Sequence, residues 1–194
     1  MSYDWRTQFA RWVSIAAHPF PLALLLAGIT GAKLQGGKAA VQLIAVTVLV
    51  FVVPLWAFMW RKWRSGAWDT VDASAPKNRP LLYVRSLLLM GALTVCIGLL
   101  SDWNPAWLRG CIAVAAMIAV AAVLNRWIKL SNHVAFAVFT AVVLLRVDWR
   151  AGAVVTAVVP VLAWSRMALR RHSWPEVIGG ACLGVIAGLL LILV

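Results

Sequence analysis

Carboxylates are scarce in this chain. Its 194 residues carry 18 basic side chains against six acidic ones, and Glu176 is the single glutamate. The other acids, Asp4, Asp69, Asp72, Asp102 and Asp148, are too scattered to form the paired clusters that hold divalent cations. Cysteine is rarer still. Cys96, Cys111 and Cys182 all sit inside apolar runs, which excludes a visible disulfide framework or metal-ligand spacing. The first residues lack a signal-peptide layout, and Asp4, Trp5, Arg6 and Arg11 suggest an amphipathic segment over 1–12 instead. No internal repeat or low-complexity tract divides the chain, so 1–194 is expected to be one domain.

Apolar side chain is present in excess. The chain is 63% hydrophobic, with a mean hydropathy of +0.89. A soluble domain of this size cannot bury that much, so the bilayer is the expected solvent. Apolar runs cover Trp12–Leu34, Val41–Trp60, Leu81–Leu100, Trp107–Trp127, Val134–Val147, Ala151–Leu169 and Val177–Val194. They predict an all-α polytopic transmembrane bundle of six or seven spans, the fifth run being short for a hydrocarbon core of roughly 30 Å. Trp12, Trp60, Trp103, Trp107, Trp127, Trp149, Trp164 and Trp174 fall at or near the span ends, where indole meets the headgroup zone. Gly180, Gly184 and Gly188 repeat every four residues in the last span, a spacing that lets helices approach closely. A net charge of +12 would suit nucleic acid in a soluble protein. In a spanning protein the basic loops set orientation and meet anionic headgroups, so membrane and not nucleic acid is the expected partner.

Three polar clusters interrupt the spans. They are the loop over 61–80 ending "DASAPKNRP", the stretch "KLSNH" at Lys129–His133, and "SRMALRRHSWPEV" at Ser165–Val177. Two crossings separate each cluster from the next, so all three return to one membrane face and can build one site at the headgroup level. A carboxylate at the mouth of a spanning helix costs a few kcal/mol unless it is partnered. The natural partner of Glu176 is His172, four residues earlier. Pro175 disfavours helix just before it and suits a first turn, so the two are expected to meet across a helix start.

Taken together, the clusters resemble the type 2 phosphatidic acid phosphatase superfamily. "SRMALRRHSWPE" is similar to its third signature, Ser-Arg, five residues, His, three residues and an acid, with Glu176 where the family has Asp. "LSNH" resembles the second, Pro-Ser-Gly-His, keeping Ser131 and His133 but carrying Leu130 and Asn132. Arg79–Pro80 looks like the end of the first, in which a Lys stands six residues ahead of Arg-Pro. That position holds Asp72, and Lys77 is the nearest substitute. The resemblance covers residues 72 to 188 in the family's order.

It implies a metal-independent lipid phosphatase without a cofactor. His172 would be the nucleophile that forms a phosphohistidine, with Glu176 orienting its ring. His133 would protonate the leaving alkoxide. Arg79 and Arg166 would grip the phosphoryl oxygens as planar forks. Ser131, Asn132 and Lys77 would add donors, and Ser165 belongs to the matched signature. Asp72 brings the wrong charge toward a dianion, so either Lys77 substitutes, or Asp72 pairs with an arginine, or the headgroup is unusual. The implied substrate is a phosphorylated lipid, phosphatidate-like, polyprenyl or lipid–sugar.

Thirteen basic residues fall on the cluster face and five, Lys33, Lys38, Arg109, Arg146 and Arg150, on the other. The positive-inside rule puts the site in the cytoplasm, as a multi-pass protein of a bacterial inner membrane. Two alternatives stand beside this reading. "KNRPL" after an Asp-bearing loop also resembles membrane prenyltransferases, which need paired Asp-rich motifs that this chain lacks. A non-catalytic lipid-binding or transport relative is the other.

Overall fold

The computed structural model describes residues 4–72 and 75–193. Residues 1–3 and 73–74, within the expected N-terminal segment and first site loop, and residue 194, at the end of the last expected span, lie outside them. The described elements are helical: α1 (Trp5–Ala16), α2 (Pro19–Gln35), α3 (Gly37–Thr47), a π turn (Val48–Val52), α4 (Val53–Arg64), a 3-10 turn (Pro76–Asn78), α5 (Arg79–Leu100), α6 (Pro105–Leu124), α7 (Asn132–Val147), α8 (Trp149–Ala168) and α9 (Trp174–Leu193). Five segments are long and apolar enough to cross a membrane: Gly37–Arg64, Pro76–Leu100, Pro105–Leu124, Trp149–Ala168 and Trp174–Leu193. The bent pair α1 and α2 supplies a sixth. The chain is a multi-pass, all-α membrane protein.

The first span departs from the expected continuous run Trp12–Leu34. It breaks at Ala17–His18, where α1 and α2 meet at 41°. Pro19 has no N–H to give and pushes the residue before it out of the helical region. His18 is accordingly extended, at φ −65° and ψ 149°. Its Nδ1 accepts from the Phe20 N–H at 3.1 Å, capping α2. Beyond α2 the chain reverses at Gly36, whose φ of 94° suits glycine. Gly31 then lets α2 and α3 touch: a Cβ there would lie 2.7 Å from the Ala40 Cα.

The π turn has a cause in the sequence. Pro54 cannot donate within the helix and clashes with the carbonyl one turn back. The ladder widens around it, and the Val53 N–H reaches the Val48 carbonyl, five residues earlier.

Helix α7 is the hub, packed against α2, α8 and α9. Its residues from His133 to Ala141 are all buried. That answers its shortness: a helix sheathed by protein need not match the lipid thickness. Gly180, Gly184 and Gly188 of α9 face it, as the four-residue spacing predicts. A Cβ on Gly180 would meet the Ser131 carbonyl oxygen at 2.6 Å, and one on Gly188 the Val142 Cβ at 2.8 Å. A second core gathers Leu43, Met90, Leu93, Ile97 and Cys111, and a third Leu55, Met59 and Trp68. Between these cores and the hub runs an elongated cavity, lined from α2 through α7.

Candidate functional site

At one end of the bundle α5, α7 and α9 begin and α8 finishes, and the polar clusters meet there. Each of the helix N-termini that begin at this end favours an anion.

His172 stands on the link between α8 and α9. The Arg171 and His172 N–H groups donate back to the Arg166 carbonyl at 2.9 and 3.3 Å, closing off α8. Glu176, in the first turn of α9, accepts from the Ser173 N–H at 3.1 Å and holds His172 Nδ1 at 2.9 Å. The two residues do meet across a helix start. On the other side of the ring, Nε2 lies 3.4 Å from Nη2 of Arg79. A guanidinium can only donate, so the Arg79 contact calls for Nε2 as acceptor and the proton on Nδ1 facing Glu176, while the Lys129 backbone also reaches the ring and favours its protonated form. The ring is 7% exposed. Burial pushes its pKa down to about 3, helped by the positive charges of Arg79, Arg166 and Lys129. His172 is therefore a neutral imidazole with its Nε2 lone pair aimed at a cation.

Arg79 opens α5, followed by Pro80 in the first turn, where a missing N–H costs nothing. A cation at this end of a helix opposes the macrodipole by ~0.3–1 kcal/mol. Nη1 of Arg79 offsets this by donating to the Leu130 carbonyl at 2.8 Å. Arg166 is held as firmly. It donates to Ser14 Oγ at 2.6 Å and to Asp72 Oδ2 at 3.1 Å, while its buried Nε has no partner among the described residues. Asp72 also lies 3.8 Å from Nη1 of Arg171.

Of the options open for Asp72, pairing with arginine is the one found. Lys77 is not drawn in. The 3-10 turn points it outward, exposed and away from the cavity, and turns Asn78 and Arg79 inward instead. The site cation nearest that role is Lys129, 3.9 Å from Glu176 and donating to the Arg171 carbonyl at 2.8 Å. Burial lowers its pKa, against the pull of Glu176.

Ser131, Asn132 and His133 form the start of α7. The Ser131 N–H donates to the Glu176 carbonyl at 3.0 Å, and its fully buried Oγ has no partner among the described residues. Asn132 pairs with the Tyr83 hydroxyl at 3.3 Å. His133 lines the cavity beside Arg79, Asn132, Asp72 and Arg166, within electrostatic reach of Arg166, His18, His172 and Arg79. Ser165 serves elsewhere: its buried Oγ donates to the Ala10 carbonyl at 2.8 Å and ties α8 to α1.

Sequence reasoning passed over His18, Ser14 and Tyr83. The ring of His18 stands edge-on to that of His133, with centroids 4.8 Å apart and an angle of 89°. Its signal was legible as a histidine before a proline inside an apolar run. Ser14 and Tyr83 carried no signal. Among the described residues no group of three or more His, Cys, Asp and Glu side chains converges as a metal site requires. No protein-family model, curated protein or solved structure matches the chain. The chemistry rests on the groups themselves: an oriented, neutral imidazole backed by a carboxylate, two buried guanidinium groups, a second imidazole and a helix N-terminus.

Proposed function

We propose that this chain is an integral membrane phosphatase that hydrolyses a phosphomonoester or pyrophosphate of a lipid, after the manner of the type 2 phosphatidic acid phosphatases its motifs resemble. The observation that carries the reading is the clamping of the His172 ring from both sides, Nδ1 on Glu176 at 2.9 Å and Nε2 facing Arg79 at 3.4 Å. A general anion-binding pocket needs no such arrangement. A nucleophile does.

A phosphoryl group enters where Arg79 and Arg166 can both reach it. Nη2 of Arg79 leaves the imidazole for a phosphoryl oxygen, which uncovers the Nε2 lone pair. Nε2 attacks phosphorus, the bond to the leaving oxygen breaks, and that oxygen takes a proton from His133, which enters the step as the imidazolium, protonated as the phosphate's negative charge arrives beside it. Glu176 steadies the positive charge that appears on the substituted ring. Water then attacks the same phosphorus and gives its proton back to His133. The P–N bond breaks, inorganic phosphate departs, and His172 regains its lone pair. The two guanidinium groups neutralise the equatorial oxygens throughout, the largest contribution a protein makes to phosphoryl transfer. The fifteen charges outside Lys77, Arg79 and Arg166 favour a cytoplasmic-facing site in a bacterial inner membrane, ten of them on the cluster face against five.

The test measures phosphate release from a panel of phosphorylated lipids by the purified protein and by His172→Ala. The variant is expected to lose release almost completely while eluting as the parent does on size exclusion. Equal release from both proteins would remove the phosphohistidine mechanism.

A further inference from the structure

The cavity that begins at Arg79 and Arg166 continues far beyond them. Its volume is about 940 Å³, and its wall follows α5 from Arg79 to Ile97 and α2 from His18 to Leu34. The α5 stretch alone rises ~27 Å at ~1.5 Å per residue. A leaflet is about half of the roughly 30 Å hydrocarbon core, so the cavity crosses the depth of both. Spread over that length, the volume leaves a passage too narrow for a helix ~10–12 Å across. A single hydrocarbon chain fits.

The wall changes character along its length. It is polar at the site end, with His18, Asp72, Arg79, His133 and Arg166. Midway it is apolar, with Phe51, Met59, Met90, Met117 and Phe139. Thioethers adapt to an irregular chain, and the π turn beside Pro54 carries Phe51 of that wall. At the far mouth stand Trp107, Arg109 and Arg146. A two-tailed lipid suits this shape poorly. Tails of leaflet length stop halfway down, and the second tail needs a section of its own. Lipid and protein interior are equally apolar, so selection here comes from matching length and section and not from the hydrophobic effect.

We propose that the substrate carries one hydrocarbon chain longer than a leaflet, of the polyisoprenoid kind, housed in this cavity with its phosphate at Arg79 and Arg166. The proposal rests on the phosphatase reading of the His172 site.

Three substrates and two variants test it. The substrates are a long polyprenyl monophosphate, dimethylallyl phosphate and a two-chain phosphatidate. The variants, Ala27→Phe and Val114→Phe, place a ring midway along the cavity, where both residues line the wall. Ala27 lies ~14 Å along α2 from His18, beyond the end of the dimethylallyl group. Parent kcat/KM is expected to be about tenfold or more higher for the polyprenyl substrate than for phosphatidate, a difference of ~1.4 kcal/mol. Each plugged variant should lose about that factor on the long chain and keep its rate on dimethylallyl phosphate, which also reports that it is folded. Equal parent rates on the three substrates, or plugs that affect long and short chains alike, overturn the proposal and leave the phosphatase intact. Failure of the parent to release phosphate from any substrate would sink both.

Discussion

At His172 the ordinary behaviour of an imidazole is reversed by its surroundings. Burial first, then Arg79, Arg166 and Lys129, hold the folded-state pKa at about 3, against about 6.5 in an unfolded chain. Between those values the unfolded state binds the extra proton, so stability rises with pH. The contribution of the neutral ring is complete above pH 6.5 and is lost as pH falls through that window toward 3. The unfolding midpoint in detergent, followed from pH 7 to pH 4, should fall less steeply for His172→Gln than for the parent. Parallel slopes would mean the ring is not held neutral by its neighbours. His172, Glu176, Arg79 and Arg166 were legible because ionisable groups in an apolar chain stand out and their parity places them together. Asp72 was legible as an anomaly, with an arginine as one of its possible partners, but which arginine was not. Its bond to Arg166 spans 94 positions of sequence, and no local spacing encodes it.

Elements transmit these contacts, and glycine sets how closely they can approach. Gly180 lets α9 lie against the loop that precedes α7, at the point where the Ser131 N–H meets the Glu176 carbonyl. A Cβ there would press on three backbone atoms of Ser131, the nearest at 2.6 Å, and backbone cannot rotate aside. Gly180→Val should therefore cost ~1–3 kcal/mol in stability and lower phosphate release by shifting Glu176 from His172. Gly179→Ala is the control, because its close neighbour at 2.6 Å is only the Leu130 Cδ2, the end of a flexible side chain. Thermal unfolding and phosphate release measured on both variants decide the point, and equal effects would refute it. The glycine stripe could be read in advance since its period is that of a helix face. The break at His18 was hidden because hydropathy averages over a single proline, although Pro19 forces it. The π turn at Val48–Val52 was hidden for the same reason, with Pro54 as its cause.

The whole molecule has a direction, fixed by which end of the bundle carries charge. The helical type of the spans followed from composition, while their number is five, with the bent pair α1 and α2 making a sixth when taken as one span. The starts of α5, α7 and α9 meet at the end where α1 packs on α8. The cavity was invisible beforehand, because it is defined by where side chains of eight helices, α2 to α9, stop short of one another. Orientation depends on ten basic residues against five once Lys77, Arg79 and Arg166 are set aside. On that count we propose that the site end faces the cytoplasm. With the native cysteines replaced, single cysteines at Ser65, beyond α4, and at Gln35, closing α2, report the two faces from exposed positions. An impermeant thiol reagent applied to intact spheroplasts should label residue 35 at once and residue 65 only after permeabilisation. The reverse pattern would turn the site outward, and the lipid phosphate would then be presented from the opposite leaflet.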